Sequence, residues 1–167
     1  MAVLYNNMFS ILMTQTPVVR NLSKSLNRSK HELILITARP QYAYLPASLR
    51  LLVSKETSMD TVFMPYDTVF DKFPGELKIG VVSSVEETKN APGGHVILKD
   101  GEQVAYDILI VTTGSAWSGL VSFPNEEAAY KQHVETWRTK FEKAQDIIIV
   151  GGGAVGIGEQ SFILLYL

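Results

Sequence analysis

Near its end the chain runs four β-branched residues, Ile147-Ile148-Ile149-Val150, straight into Gly151-Gly152-Gly153-Ala154-Val155-Gly156. A run of this kind, opening at Asp146, predicts a buried strand of a parallel sheet. The glycines that follow fit G-x-G-x-x-G through Gly151, Gly153 and Gly156. In that pattern the first glycine permits the tight turn off the strand, and the second lets a pyrophosphate approach bare backbone. The third lets the next helix pack closely on the strand. The helix N-terminus adds unpaired N–H groups and a partial positive charge. Glycine clusters also make ordinary turns; the apolar run directly ahead of this one favours the dinucleotide fingerprint. The acid that grips a ribose, expected about 20 residues further on, falls past Leu167. The βαβ unit is begun and not completed.

With 167 residues there is room for one domain with a real core. A formal net charge of −2 gives no electrostatic case for nucleic acid or an anionic membrane surface. The absence of cysteine excludes thiolate metal sites, a disulfide and a redox-active cysteine pair within the chain. Met1 to Met13 is moderately apolar, but Asn6 and Asn7 interrupt it and no basic residue precedes it. It makes a poor signal peptide and is too short to span a bilayer. The sequence does not decide between cytoplasm and mitochondrion, and the sequons at Asn21 and Asn27 read as chance matches.

Residues 1–17 carry no clear period. Val18, Val19, Leu22 and Leu26 recur at helical spacing, and Leu33-Ile34-Leu35-Ile36 reads as a buried parallel strand stopped by Arg39-Pro40. Pro46 suits the first turn of a helix running to Val53, and a shorter helix is expected over Tyr66 to Phe73, ended by Pro74-Gly75. From Leu77 to Val85 the pattern predicts one strand, bent at Gly80. The turn at Asn90 to Gly94, the strand His95 to Leu98, the hairpin dipeptide Asp100-Gly101 and the strand Gln103 to Tyr106 complete an antiparallel meander. Asp107 to Ser115 is a further apolar strand. Asn125 is the expected N-cap of a helix whose stripe Tyr130, Val134, Trp137 and Phe141 faces a core. His31, His95 and His133 are scattered, and Asp60, Asp67 and Asp71 lack a partner at metal-ligand spacing, so no metal site is expected. The terminal apolar run Phe162 to Leu167 predicts aggregation or docking rather than a membrane anchor.

Helix, strand, helix, meander, a strand ending in Thr-Thr-Gly, a long helix and a glycine motif: that order resembles flavoproteins in which an NAD(P)H domain interrupts an FAD domain. The nearest likeness is to the apoptosis-inducing-factor-like and type II NADH dehydrogenase-like oxidoreductases of the pyridine nucleotide-disulfide oxidoreductase superfamily, without the disulfide. It rests on Leu33 to Arg39, Tyr44 to Arg50, Met64 to Asp67, Tyr106 to Ser115 and Asp146 to Ile157. The resemblance implies an α/β fold: a partial FAD-binding Rossmann-like domain with a β-meander over residues 18–124, then a linking helix and the first strand and glycine loop of an NAD(P)H domain over 125–157. Residues 1–17 and 158–167 do not match it. By the same resemblance, Thr112, Thr113 and Gly114 lie against FAD near its pyrophosphate, Arg39 contacts the adenosine half and Val82 runs beside the adenine. Gly151, Gly153 and Gly156 hold the NAD(P)H pyrophosphate. The implied chemistry is the flavin's: hydride passes from the nicotinamide to flavin N5 and on to a quinone or another acceptor, with no side chain acting as acid or nucleophile.

The chain also departs from that pattern. It has no glycine before Gly75, so the first phosphate loop of such proteins is missing. Neither Thr37 nor Ala38 supplies the acid expected at the end of the second strand, and Thr112 replaces the usual alanine. The expectation is a truncated form, inactive as written. Its alternatives are a non-catalytic nucleotide- or protein-binding remnant and an unstable product.

Overall fold

The computed structural model describes residues 8–13, 16–70, 72–153, 156–158, 160 and 163. Met1–Asn7, Asp71 and most of the apolar tail lie outside the described residues. In chain order the elements are β1 (Met8–Met13), α1 (Thr16–Ser25), β2 (Glu32–Thr37), β3 (Tyr42–Ala43), α2 (Ser48–Val53), β4 (Phe63–Met64), β5 (Gly75–Ile79), β6 (Val82–Glu87), β7 (Gly94–Leu98), β8 (Gln103–Tyr106), β9 (Ile108–Thr112) and α3 (Glu127–Lys143). They pack as two units that interleave along the sequence. One comprises Met1–Tyr42 and Pro65–Ser115, the other Ala43–Met64 and Ala116–Leu167.

The first unit is built on a parallel sheet of order β5-β2-β1-β9. In β2, Leu33, Ile34, Leu35 and Ile36 are all excluded from solvent. Successive side chains leave a strand on opposite faces, and the packing follows that rule. Leu33 and Leu35 join Val19 of α1 with Tyr66, Val69 and Phe73 on one side. Ile34 and Ile36 join Val96, Leu98, Val104 and Tyr106 of the meander on the other. A strand covered on both faces has no polar side, which is why it reads as an unbroken apolar run. Each such side chain contributes about 1.5–3 kcal/mol on burial.

β1 is a strand that the sequence does not predict. It lies between β2 and β9, with Ile11 opposite Leu35 on one side and Ile110 on the other. Met8 to Met13 shows no alternation, and its place is set by two ladders with distant segments. The expected single strand over Leu77 to Val85 is two. β5 runs parallel to β2, and β6 opens the antiparallel meander β6-β7-β8. Gly80 makes the change of sheet: its N–H donates to the Thr37 carbonyl at 2.8 Å, and a Cβ there would stand 2.7 Å from Leu98 Cδ1. Tyr66 to Phe73 forms turns rather than a helix, closed by Val69 N–H to Tyr66 O at 2.9 Å and Phe73 N–H to Phe70 O at 2.8 Å. Their aromatic and β-branched side chains pack under the sheet, and that packing outweighs a weak local helix preference.

In the second unit Pro46 sits in a short 3-10 turn, Leu45–Ala47, that leads into α2. The stripe on α3 is core, as expected: Tyr130, Val134 and Phe141 are buried with Leu51, Leu52, Val62, Phe63 and Phe123, and Trp137 packs at the edge. The Phe63 ring stacks on Tyr130 with centroids 3.8 Å apart. The N-cap of α3 is Glu126 rather than Asn125, and its side chain makes no capping bond. The largest departure is at Asp146 to Val150, which forms no strand; Ile148 is 87% exposed and Val150 92%. A strand exists only where a neighbour completes its hydrogen bonds, and no described residue does so here.

Candidate functional site

All four strands of the parallel sheet point the same way, so their C-terminal ends share one edge. From β1 the chain moves through α1 to β2 on one side, and β9 lies on the other side of β1. The connection therefore reverses between β1 and β9. In open α/β sheets, ligands bind outside the C-terminal ends at such a reversal.

Five of the sequence-predicted positions come to this edge. Thr112 closes β9, in register with Met13 of β1. Thr113 and Gly114 follow it, both exposed, and Gly114 has φ 72°, the left-handed region that favours glycine. Arg39 follows the end of β2, and Val82 comes just after the end of β5, packed against the meander core. Neighbouring strands are spaced about 4.8 Å, so the ends of β2 and β9 stand about 10 Å apart across β1.

The end of β2 holds a small polar cluster. Thr37 is buried, and its Oγ1 lies 3.3 Å from the Tyr66 hydroxyl; the same oxygen accepts from Arg39 N–H at 3.3 Å. Burial lowers the Arg39 guanidinium below its ordinary value, against the pull of Tyr66, and burial raises the Tyr66 phenol. Arginine remains a cation even so. The Thr37–Tyr66 pair escapes a local reading of sequence, because it joins positions 29 apart that lie in two separate matching segments.

Gly151, Gly153 and Gly156 lie in the second unit. Gly151 has φ 115° and needs to be glycine. A Cβ on Gly156 would stand 2.4 Å from the Gly151 carbonyl oxygen, whereas Gly153 has open space where a side chain would be. Ile157 N–H donates to Gly153 O at 3.0 Å and opens a helical turn. Among its described residues the loop has a close backbone approach at Gly156 and open space at Gly153, without a paired strand ahead of it. It borders a groove of about 490 Å³ lined by Leu120, Trp137, Phe141 and Ile147 to Val150. Trp117 is half exposed, and His133 Nε2 lies 2.7 Å from the Leu120 carbonyl oxygen in a structural contact. Among the described residues no three His, Cys, Asp or Glu converge on a metal-sized site, and no helix is long and apolar enough to cross a membrane.

No protein-family model matches the chain. An FAD-dependent oxidoreductase, FVFD30, of Flammulina velutipes is 39% identical over 108 residues, covering 64% of this chain and 33% of that protein. Apoptosis-inducing factor 1 of Saccharomyces cerevisiae is 27% identical over 122 residues, covering 72% of this chain and 30% of its own length. In fold the chain is similar to NDH2 of Plasmodium falciparum, solved in complex with NADH. The TM-score is 0.62 at 17% identity, over 95% of this chain and 36% of that one. The chain spans about a third of the length of the curated relatives it matches. In sequence the chain is thus similar to FAD-dependent oxidoreductases and to apoptosis-inducing factors over about a third of their length, and in fold to NDH2.

Proposed function

We propose that these residues are part of an FAD-dependent oxidoreductase that takes hydride from NAD(P)H and passes it to a quinone or another acceptor, and that this chain alone does not retain FAD. On this reading residues 18–124 are the partial FAD domain and 125–157 open the NAD(P)H domain. The observation that carries it is the reversal of the sheet between β1 and β9 with Thr112, Thr113 and Gly114 at its mouth. The geometry of the Gly151–Gly156 loop supports the second nucleotide.

The residues present do not fit FAD itself. Its two phosphates need backbone donors from a glycine loop between the first strand and first helix. The sequence ahead of α1 carries no glycine, and Pro17 removes an N–H from the first turn of that helix. The ribose diol needs an acceptor at the end of β2, where Thr37 is turned inward to Tyr66, Ala38 has no polar group and Arg39 only donates. The Gly151–Gly156 loop does suit an NAD(P)H pyrophosphate, with Gly153 leaving the backbone open to it. The flavin, where one is bound, supplies the redox chemistry; this chain's residues would orient nucleotides.

The test is the visible spectrum of the purified 167-residue chain after incubation with FAD and removal of the excess. A colourless protein is expected. Retained flavin bands that bleach with NADH or NADPH would overturn the statement that the chain does not hold FAD. The exposure of Ile148 and Val150 favours, as a second reading, a protein-binding remnant. A chain that stays monodisperse and monomeric alone and in mixtures with a full-length relative would remove it.

A further inference from the structure

β9 is the last strand of the parallel sheet. β1 bonds one of its edges, and among the described residues no strand bonds the other. The outer edge of residues 108–111 therefore presents backbone groups that lack a ladder. Residues 147–150 are the counterpart, four β-branched residues with no ladder of their own, and Ile148 and Val150 project into solvent. We propose that two copies of the chain associate by strand addition, with residues 147–150 of one copy laid along the open edge of β9 in the other. This contact is independent of nucleotide binding. It rests on the protein-binding reading and deepens it by naming the partner as a second copy.

The edge and the segment match in chemistry. On one face of the sheet Ile110 packs against the cluster of Val19 and Leu35, and on the other Leu109 packs against that of Val96 and Tyr106. Ile108 and Val111 remain 48% and 57% exposed. A strand added beside them has to be apolar on both faces, because successive side chains alternate between two covered faces. Residues 147–150 meet that need in either register, since a shift of one residue still leaves an apolar side chain on each face. Neither run carries a charge or a proline, the devices that keep sheet edges apart. Their lengths agree as well, four residues against the five of β9. Each copy holds both a donor and an edge, so a closed pair makes the contact twice and an open chain makes it in series.

The test is sedimentation velocity of the 167-residue chain over a concentration series, alone and in mixtures of two variants. Ile148→Pro removes a backbone N–H from the donor at an exposed position and leaves β9 intact. Val111→Lys charges the edge and leaves the donor intact, and Ile108→Lys does the same from the other exposed position. Circular dichroism checks that each variant keeps the secondary structure of the parent. The parent is expected to associate, and each variant alone to associate about tenfold or more weakly. Mixing Ile148→Pro with either lysine variant is expected to restore a 1:1 complex, since each supplies what the other lacks. Lysine variants that associate as the parent does would mean that residues 147–150 pair with themselves. Undiminished association of Ile148→Pro would mean that β9 pairs with β9. Either result overturns the inference, as does a parent that stays monomeric or a mixture that stays apart. Association with a full-length relative, measured separately, decides the broader protein-binding reading.

Discussion

Nε of Arg138 donates to the carbonyl oxygen of Leu51 at 2.9 Å, joining positions 87 residues apart. Nη2 of the same guanidinium reaches Ser54 O at 3.0 Å and Thr57 O at 2.8 Å, and Nη1 reaches Glu135 Oε1 at 2.9 Å. The last carbonyls of a helix have no partner within it. A buried arginine from α3 therefore closes the end of α2 and the turn after it, using its rigid fork where a water or a glycine cap would otherwise stand. Arg138→Ala leaves these acceptors facing a cavity. It should lower stability by roughly 2–4 kcal/mol, read as a fall in the urea midpoint. Arg138→Lys, a point charge with fewer fixed donors, should recover only part of the loss.

The glycine loop gives a prediction on binding rather than folding. A methyl group at Gly156 meets the backbone oxygen of Gly151 at 2.4 Å, and that oxygen belongs to a residue already at φ 115°. The loop must open to admit it. Gly156→Ala should weaken NADH or NADPH binding by about tenfold or more, measured by quenching of tryptophan fluorescence. The thermal midpoint should stay near that of the parent, since the loop adds little to either core. Unchanged binding would separate the loop from the nucleotide.

Tyr66 links stability to alkaline pH. Burial raises its phenol above the ordinary value of about 10. Between the unfolded and folded values the native state holds the proton that the unfolded chain has released, so stability falls as pH rises. The contribution is full below about pH 10 and is lost as pH climbs through the folded value. Tyr106 and Tyr130 are raised by burial too, so the comparison must be with Tyr66→Phe. That variant should lose about 0.5–1.5 kcal/mol at neutral pH with the Thr37 bond. It should also show a shallower decline in alkaline unfolding curves.

Much of this fold was legible because its signals are local. Leu33 to Ile36 reads as a strand buried on both faces, and Asp100-Gly101 marks its hairpin with Gly101 at φ 92°. Tyr130, Val134 and Phe141 mark the buried side of α3 by spacing alone. Arg138 follows Val134 by the same interval of four and is equally inward, but its charge argues for solvent, and only its three carbonyl partners explain it. β1 was illegible for a related reason: a central parallel strand is defined by segments far away in sequence, here Glu32 to Ile36 and Ile108 to Thr112. At the candidate site, the motifs singled out Thr112 to Gly114, which follow the C-terminal end of β9, and the glycine loop in the other unit. The Thr37–Tyr66 bond joins two segments 29 residues apart, and nothing local to either one signals the pairing.

Ile147 to Val150 is the converse case, a segment with the composition of a strand and no ladder among the described residues. Ile148 and Val150 project an apolar face into solvent while their backbone groups stay unpaired within any sheet. Short β-branched stretches of low charge, exposed and lacking proline, pair readily with like segments from other molecules. Ile148→Lys with Val150→Lys places charge on that face without touching a core residue, and such charges block edge pairing. The double variant should raise the concentration at which the chain begins to self-associate in light scattering, with the thermal midpoint unchanged. A drop in the midpoint instead would mean that the segment is buried in solution, in a strand that a neighbour completes.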